Sequence, residues 1–462
     1  MNLPARIKPP SWLNRNVFGW SMFDFANQAF TLVILTAMFN VYFTEYIVPT
    51  TEVLAEDGSV KLDDDGEPKT DASRGRQLWA VCGVITQILI ILLGPILGAI
   101  ADFTGAKKKL LLITWLGCVV FTASLGLVGP GAIALGMTLF IVAYLFYGAG
   151  ENFMASFLPE ISTHRTMGRV SAFGWTVGYI GGLLCLAGAV VLLFTIEAPN
   201  SYRWICVWAG VFFFFGALPT FILLRERKEA EEMPAGYNYV TIGFRRLKET
   251  FRELRQFRWL FQFLLIMTVY FAGLQIIFWF AGVMTRELFG FGEQKMGIFI
   301  LQITLTAIVG AVVTANVQDR IGARNFLLIC MAFWTLTILS AAFATQEVTF
   351  WIVGNAIGLG IGALGTASRA MVGLFSPQHK AAEFFGFFGF AHKLAAIIGL
   401  SSMTLAEFVF AGNFHYVAAS GSIFFILGFG LLWTIDEKKG RISALKSERA
   451  FRRRAIAASD AH

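Results

Sequence analysis

Apolar residues along this chain come in runs of roughly 20 or more, divided by short polar segments. About 20 residues at 1.5 Å per residue cross the roughly 30 Å hydrocarbon core of a membrane. The pattern predicts helices near 17–48, 77–101, 108–129, 133–157, 168–195, 203–224, 258–285, 294–317, 324–344, 348–374, 381–410 and 414–435. The fold class expected is therefore an all-α membrane protein of twelve transmembrane helices, and an even count puts both termini on one side. Composition agrees: 56% of residues are hydrophobic and 15% charged, against about 25% charged in soluble domains. A single soluble core could not absorb so many helices that are apolar all round. The first sixteen residues are polar and basic, and the run that follows is too long for a signal-peptide core.

Charge orients the helices. The segments on the terminal side (1–16, 102–109, 159–169, 225–258, 318–324, 377–383 and 436–462) hold 28 of the 37 Lys and Arg residues, and the opposite connections hold seven. The excess of basic residues predicts a cytoplasmic terminal side. The segment 49–76 carries eight acids and reads as an external solvated loop. The net charge of +7 follows from this asymmetry and from contact with anionic lipid. Nucleic-acid binding is not expected, because the basic tail directly follows a membrane helix. These features suit a bacterial inner membrane, with a eukaryotic internal membrane as the alternative.

The two halves share landmarks. Gly98-Ala-Ile-Ala-Asp102-Phe-Thr-Gly105-Ala-Lys107-Lys108 lies between helices 2 and 3. Ala315-Asn-Val-Gln-Asp319-Arg320-Ile-Gly322-Ala-Arg324 lies between helices 8 and 9, and the two aspartates are 217 residues apart. Leu158-Pro159 and Ser376-Pro377 repeat at an offset of 218. The expected organisation is a six-helix bundle over 1–224, a cytoplasmic linker over 225–257, a second bundle over 258–435 and a basic tail over 436–462. Six helices per half make the repeat parallel, about an axis along the membrane normal. In each short loop glycine permits a tight turn, and the aspartate can pair with a cation of the other bundle, as Asp319 could with Arg169. The candidate conformational latch is Gly98, Asp102, Gly105, Lys108, Arg169, Asp319, Arg320, Gly322, Arg324 and Glu383.

The twice-present loop resembles the signature loop of the major facilitator superfamily, from which it departs at Phe103 and Ala315. A narrower resemblance rests on Trp20-Ser-Met-Phe-Asp24-Phe-Ala-Asn27-Gln-Ala-Phe30, Phe157-Leu-Pro159-Glu160-Ile-Ser-Thr163, Gly168-Arg169-Val-Ser171 through Gly178-Tyr-Ile-Gly181-Gly182, and Ala382-Glu383-Phe-Phe-Gly386-Phe. These are similar to the autophagy-linked vacuolar effluxer branch of that superfamily. The resemblance implies alternating access about a central cavity lined by helices 1 and 4, and its fungal members imply amino-acid efflux.

Charges at membrane depth cost from about 2.5 kcal/mol upward and mark candidate functional positions. They are Asp24, Glu151, Arg369, Lys393 and Glu407; Arg369 and Glu407 lie near enough to helix ends to snorkel. Asp24, Asn27, Gln28 and Thr31 share one helical face by their i, i+3, i+4, i+7 spacing, as do Tyr144, Tyr147 and Glu151. Asp24 and Glu151 read either as proton carriers or as fixed hydrogen-bond acceptors. Lys393 reads as an anchor for a substrate anion or as half of a structural pair, and the neighbouring His392 as a packed histidine. Helical spacing adds Gln275 with Trp279, Asn355 with Thr366 and Arg369, and Trp175 with Tyr179.

The function expected is a secondary transporter of a small polar or zwitterionic solute, with membrane lipid and that solute as partners and the chain acting as a monomer. No bound cofactor is expected, and the transmembrane proton gradient is the expected energy source. A lipid or lysolipid flippase is the alternative. A membrane-embedded enzyme is disfavoured, since the five histidines are scattered and neither metal-ligand spacing nor a phosphate-binding loop is present. The five cysteines (Cys82, Cys118, Cys185, Cys206, Cys330) lie in apolar runs and read as core residues.

Overall fold

The computed structural model describes residues 13–52, 70–162, 166–226, 233–234, 236–377, 380–410 and 413–459. Among them are twelve helices long and apolar enough to cross a membrane, as the runs predict. In order, spans 1 to 6 are Arg15–Ile47, Ser73–Thr104, Lys107–Leu127, Ile133–Ile161, Met167–Thr195 and Asn200–Leu223. Spans 7 to 12 are Arg258–Phe289, Glu293–Ile321, Ala323–Phe343, Glu347–Phe375, Ala381–Val409 and Phe414–Leu432. A linker helix, Tyr239–Gln256, and a tail helix, Glu437–Ser459, complete the helices. The five cysteines are buried and free.

Spans 1 and 7 form the centre. Of the most apolar stretch of each, 78% is buried inside the protein, against 33 to 56% for the other ten. Those ten keep one face for lipid, whereas a helix apolar all round can be enclosed by neighbours. Span 1 is π-helical over Ala29–Met38 and Tyr42–Ile47.

The packed core shows which way the protein is open. One apolar cluster built on spans 1 to 6 continues without a break into Trp279 and Val283 of span 7, Met296 and Ile300 of span 8, and Leu400 and Met403 of span 11. All of these lie in the halves of their spans away from the termini. On the terminal side the last six spans have a core of their own. The halves are thus closed together on the far side, opposite the termini, and parted on the terminal side. A cavity of about 360 Å³ opens there between spans 2 and 11, walled by Ile90, Pro95, Phe387 and Phe390, with Lys393 at membrane depth.

The linker helix lies across this opening. Asn238 and Thr241 close a capping box at its start. Gly243 sits so near span 2 that a Cβ there would stand 2.4 Å from the Pro95 carbonyl oxygen. Arg246 donates to Asp102 at 3.2 Å and covers the Phe103 ring. Toward its other end, Glu253 pairs with Lys380 and Phe251 meets Phe387 of span 11. One short helix therefore touches both halves.

Several helix limits differ from the sequence pattern by up to a turn, among them the ends of spans 4 and 8, at Ile161 and Ile321, and two of the differences bear on the far side. Span 2 begins at Ser73 and span 7 ends at Phe289, each about a turn beyond the predicted limit. Arg76, Arg286 and Glu287 consequently lie inside helices. Their charges meet opposite charges in the far-side interface, so they do not mark the end of a helix.

Candidate functional site

The polar face of span 1 is knitted to span 4. Asn27 Nδ2 donates to Glu151, and Thr31 Oγ1 donates to the Tyr147 hydroxyl at 3.0 Å. Trp20 Nε1 donates to the Met154 carbonyl at 2.9 Å, and Gln87 of span 2 donates to Tyr144 at 2.8 Å. Asp24 turns instead toward span 5. A Cβ at Gly174 would lie 2.5 Å from Asp24 Oδ2, and one at Gly181 would lie 2.0 Å from the Phe25 carbonyl oxygen. Gly178 meets the Asp24 backbone, and Gly182 the Gln28 side chain. This glycine face lets span 5 ride directly on span 1, the close approach that small residues permit between membrane helices.

The cations come from the other half. The Arg369 guanidinium of span 10 lies 3.6 Å from the ring centroid of Trp175 on span 5, a contact across the halves. Arg369 interacts electrostatically with Asp24, Glu151 and Tyr179, and Lys393 with Glu151. Asp24, Glu151, Arg369 and Lys393 are all half-buried. Gln275 donates to the His392 carbonyl at 3.3 Å. The His392 ring is wedged against Phe271 and Phe388, its buried Nε2 without a hydrogen-bond partner. The arrangement sets two carboxylates on the first half against a guanidinium and an ammonium on the second.

Other predicted residues lie elsewhere. Trp279 is fully buried in the far-side closure, where its carbonyl accepts from Trp79 at 2.8 Å and Asn40 at 3.2 Å. Asn355 accepts from Gln302 at 3.1 Å in the seam of spans 8 and 10. Glu407 does not snorkel; it is 3% exposed and bonds Arg76 at 2.5 Å. Arg369 is half-buried, with its guanidinium over the Trp175 ring.

The repeated loops are anchored within their own halves. Gly105 and Gly322 take positive φ at the turns. Glu226, after span 6, accepts from the backbone N–H groups of Lys107 and Lys108 at the start of span 3, and Lys108 Nζ donates to the Leu224 carbonyl. The second half repeats the device: Glu437, after span 12, accepts from Arg324 N–H, and the Arg324 guanidinium donates to the Leu432 carbonyl. A carboxylate at a helix N-terminus satisfies free N–H donors and the helix dipole together. In this conformation Lys108 and Arg324 therefore tie each half to itself, and Asp102 meets the linker through Arg246. Arg169 and Arg320 are exposed, Glu383 lines the cavity mouth, Gly98 has open space beside it, and the Asp319 side chain lies outside the described residues.

Comparison with known proteins agrees with this architecture. The chain is 24% identical over 430 residues to the uncharacterized MFS-type transporter YxiO of Bacillus subtilis, covering 91% of this chain and 94% of that one. It is 22% identical over 335 residues to autophagy-related protein 22 of Yarrowia lipolytica, covering 64% and 55%. Among solved structures, a D-xylose-proton symporter superposes with a TM-score of 0.66 at 13% identity, covering 93% of this chain and 99% of that one. That likeness shows the fold. The family described as "Vacuole effluxer Atg22 like" matches residues 14–445, and the chain belongs to it, with the fold of the major facilitator transporters.

Proposed function

We propose that this protein is a secondary transporter that moves a small zwitterionic solute, amino acids being the first class to test, by alternating access coupled to protons. The observation that carries the reading is the division of charge at the central site: Asp24 and Glu151 on one half, Arg369 and Lys393 on the other. A solute with an amine and a carboxylate would bridge the halves and draw them together. Carboxylates at membrane depth can exchange protons as the cavity changes sides. The terminal side is taken as cytoplasmic from its basic loops. A second reading, a lysolipid flippase, is favoured by the apolar walls of the cavity between spans 2 and 11.

The test is thermal stability of the purified protein with amino acids, dipeptides, amines, organic acids, sugars and lysolipids at pH 5.5 and 7.5. A ligand at 100 times its Kd stabilises by about 2.7 kcal/mol. The expected result is a rise in Tm with a zwitterion that Asp24→Asn and Lys393→Ala both remove. A rise with lysolipids alone, unchanged in both variants, would replace this reading with the flippase.

A further inference from the structure

The far-side closure contains a buried charge cluster that the central site does not use. Arg76 Nε bonds Glu407 Oε1 at 2.5 Å, Arg76 also pairs with Glu287, and its Nη2 lies 3.7 Å from Asp71. Beside it, Arg286 pairs with Glu45 at 2.9 Å and lies 3.6 Å from Glu293, which accepts from the Tyr46 hydroxyl at 2.5 Å. Glu45 also interacts electrostatically with Glu287 and Arg76, so the two groups are one cluster. Tyr202 of span 6 interacts electrostatically with Arg286, Glu293 and Glu45.

Among the described residues, two guanidinium groups face five carboxylates. Glu407 is 3% exposed, and its Oε2 has no hydrogen-bond partner. Arg76 shares its charge among Glu407, Glu287 and Asp71, so the free Glu407 oxygen is where a proton would lower the cost of burial. Every pair that crosses from spans 1 and 2 to spans 7, 8 and 11 would have to part for the far side to open, and the carboxylates would then meet water.

We propose that this gate is a proton-binding site separate from Asp24 and Glu151, which takes up protons as the far side closes and returns them to the far compartment as it opens. The proposal rests on the alternating-access reading but not on the identity of the solute. Closure binds more protons than opening, so a fall in pH favours the closed far side.

The experiment places nitroxide labels at Arg74→Cys and Asn413→Cys, exposed positions on opposite halves at the far side, and follows their distance distribution from pH 8.5 to 5.5. The buried native cysteines leave these sites selectively labelled. The closed-to-open ratio should rise about tenfold per pH unit for each proton bound on closing. Glu407→Gln and Glu287→Gln, tested separately, should each lower that slope, and in Glu151→Gln a slope should remain that the gate variants still lower. A slope unchanged in both gate variants, a slope lost in Glu151→Gln, or a response to sodium at fixed pH in place of the pH response would overturn the proposal. A single distance at every pH would instead remove the alternating-access reading on which it rests.

Discussion

Replacing Arg76 with methionine is expected to shift the protein toward a far-side-open state by about a hundredfold or more. Arg76 is 2% exposed and bonds Glu407 and Glu287, both from the other half. Methionine keeps much of the side-chain volume but leaves those carboxylates facing each other without their cation. Removing one member of a buried ion pair costs roughly 3–5 kcal/mol, and about 1.4 kcal/mol is a factor of ten in an equilibrium. The cost falls on the closed state, because in the open state the carboxylates are hydrated. The label pair at positions 74 and 413 reads the shift directly. Low pH should partly restore closure by placing protons where the guanidinium had been. A drop in Tm with no change in the distance distribution would mean that Arg76 only holds the fold together.

Gly181→Ala and Gly98→Ala make the same chemical change and should have opposite effects. In a helix interior alanine is favoured over glycine by about 1 kcal/mol. At Gly98 nothing lies within 4 Å of the added methyl, so the variant should be as stable as the parent or more so. At Gly181 the methyl would stand 2.0 Å from the Phe25 carbonyl oxygen and 2.6 Å from its carbon. Both obstacles are backbone, so no rotamer change relieves them and span 5 must move off span 1. Overpacking typically costs about 1–3 kcal/mol, and backbone contact puts this case at the upper end. Span 1 carries Asp24 and Gln28 on the displaced face, so ligand stabilisation should fall with Tm. Equal melting temperatures for the two variants would contradict the packing of spans 1 and 5.

The spans and the repeated loops are legible in the sequence because length and apolarity alone specify a membrane crossing. Asp24, Glu151 and Lys393 stand out because each is an isolated charge inside an apolar run. Arg76 and Glu287 do not, since a charge at the edge of a run reads as a loop, and only the partner from the other half shows that the helix continues. Glu407 is visible as a charge, but its partner Arg76 is 331 residues away. Helical spacing puts Trp279 on the face of Gln275 but does not say where along span 7 the cavity ends. Trp279 lies beyond that point, closed over by Trp79 and Asn40. The anchors Glu226 and Glu437 leave no sequence signal, because each bonds a backbone N–H that any residue supplies. The glycines of span 5 are visible as a motif, and their reason, contact with the backbone of span 1, appears only in three dimensions.

Solute counterflow in proteoliposomes decides whether the central site carries a zwitterion across the membrane. Vesicles loaded with an unlabelled zwitterion that raises Tm are diluted into trace labelled solute. The expected result is transient accumulation of label with the parent protein and its loss in Lys393→Ala and Asp24→Asn. No exchange of any zwitterion, with movement of a fluorescent lysolipid between leaflets that survives both substitutions, would contradict it.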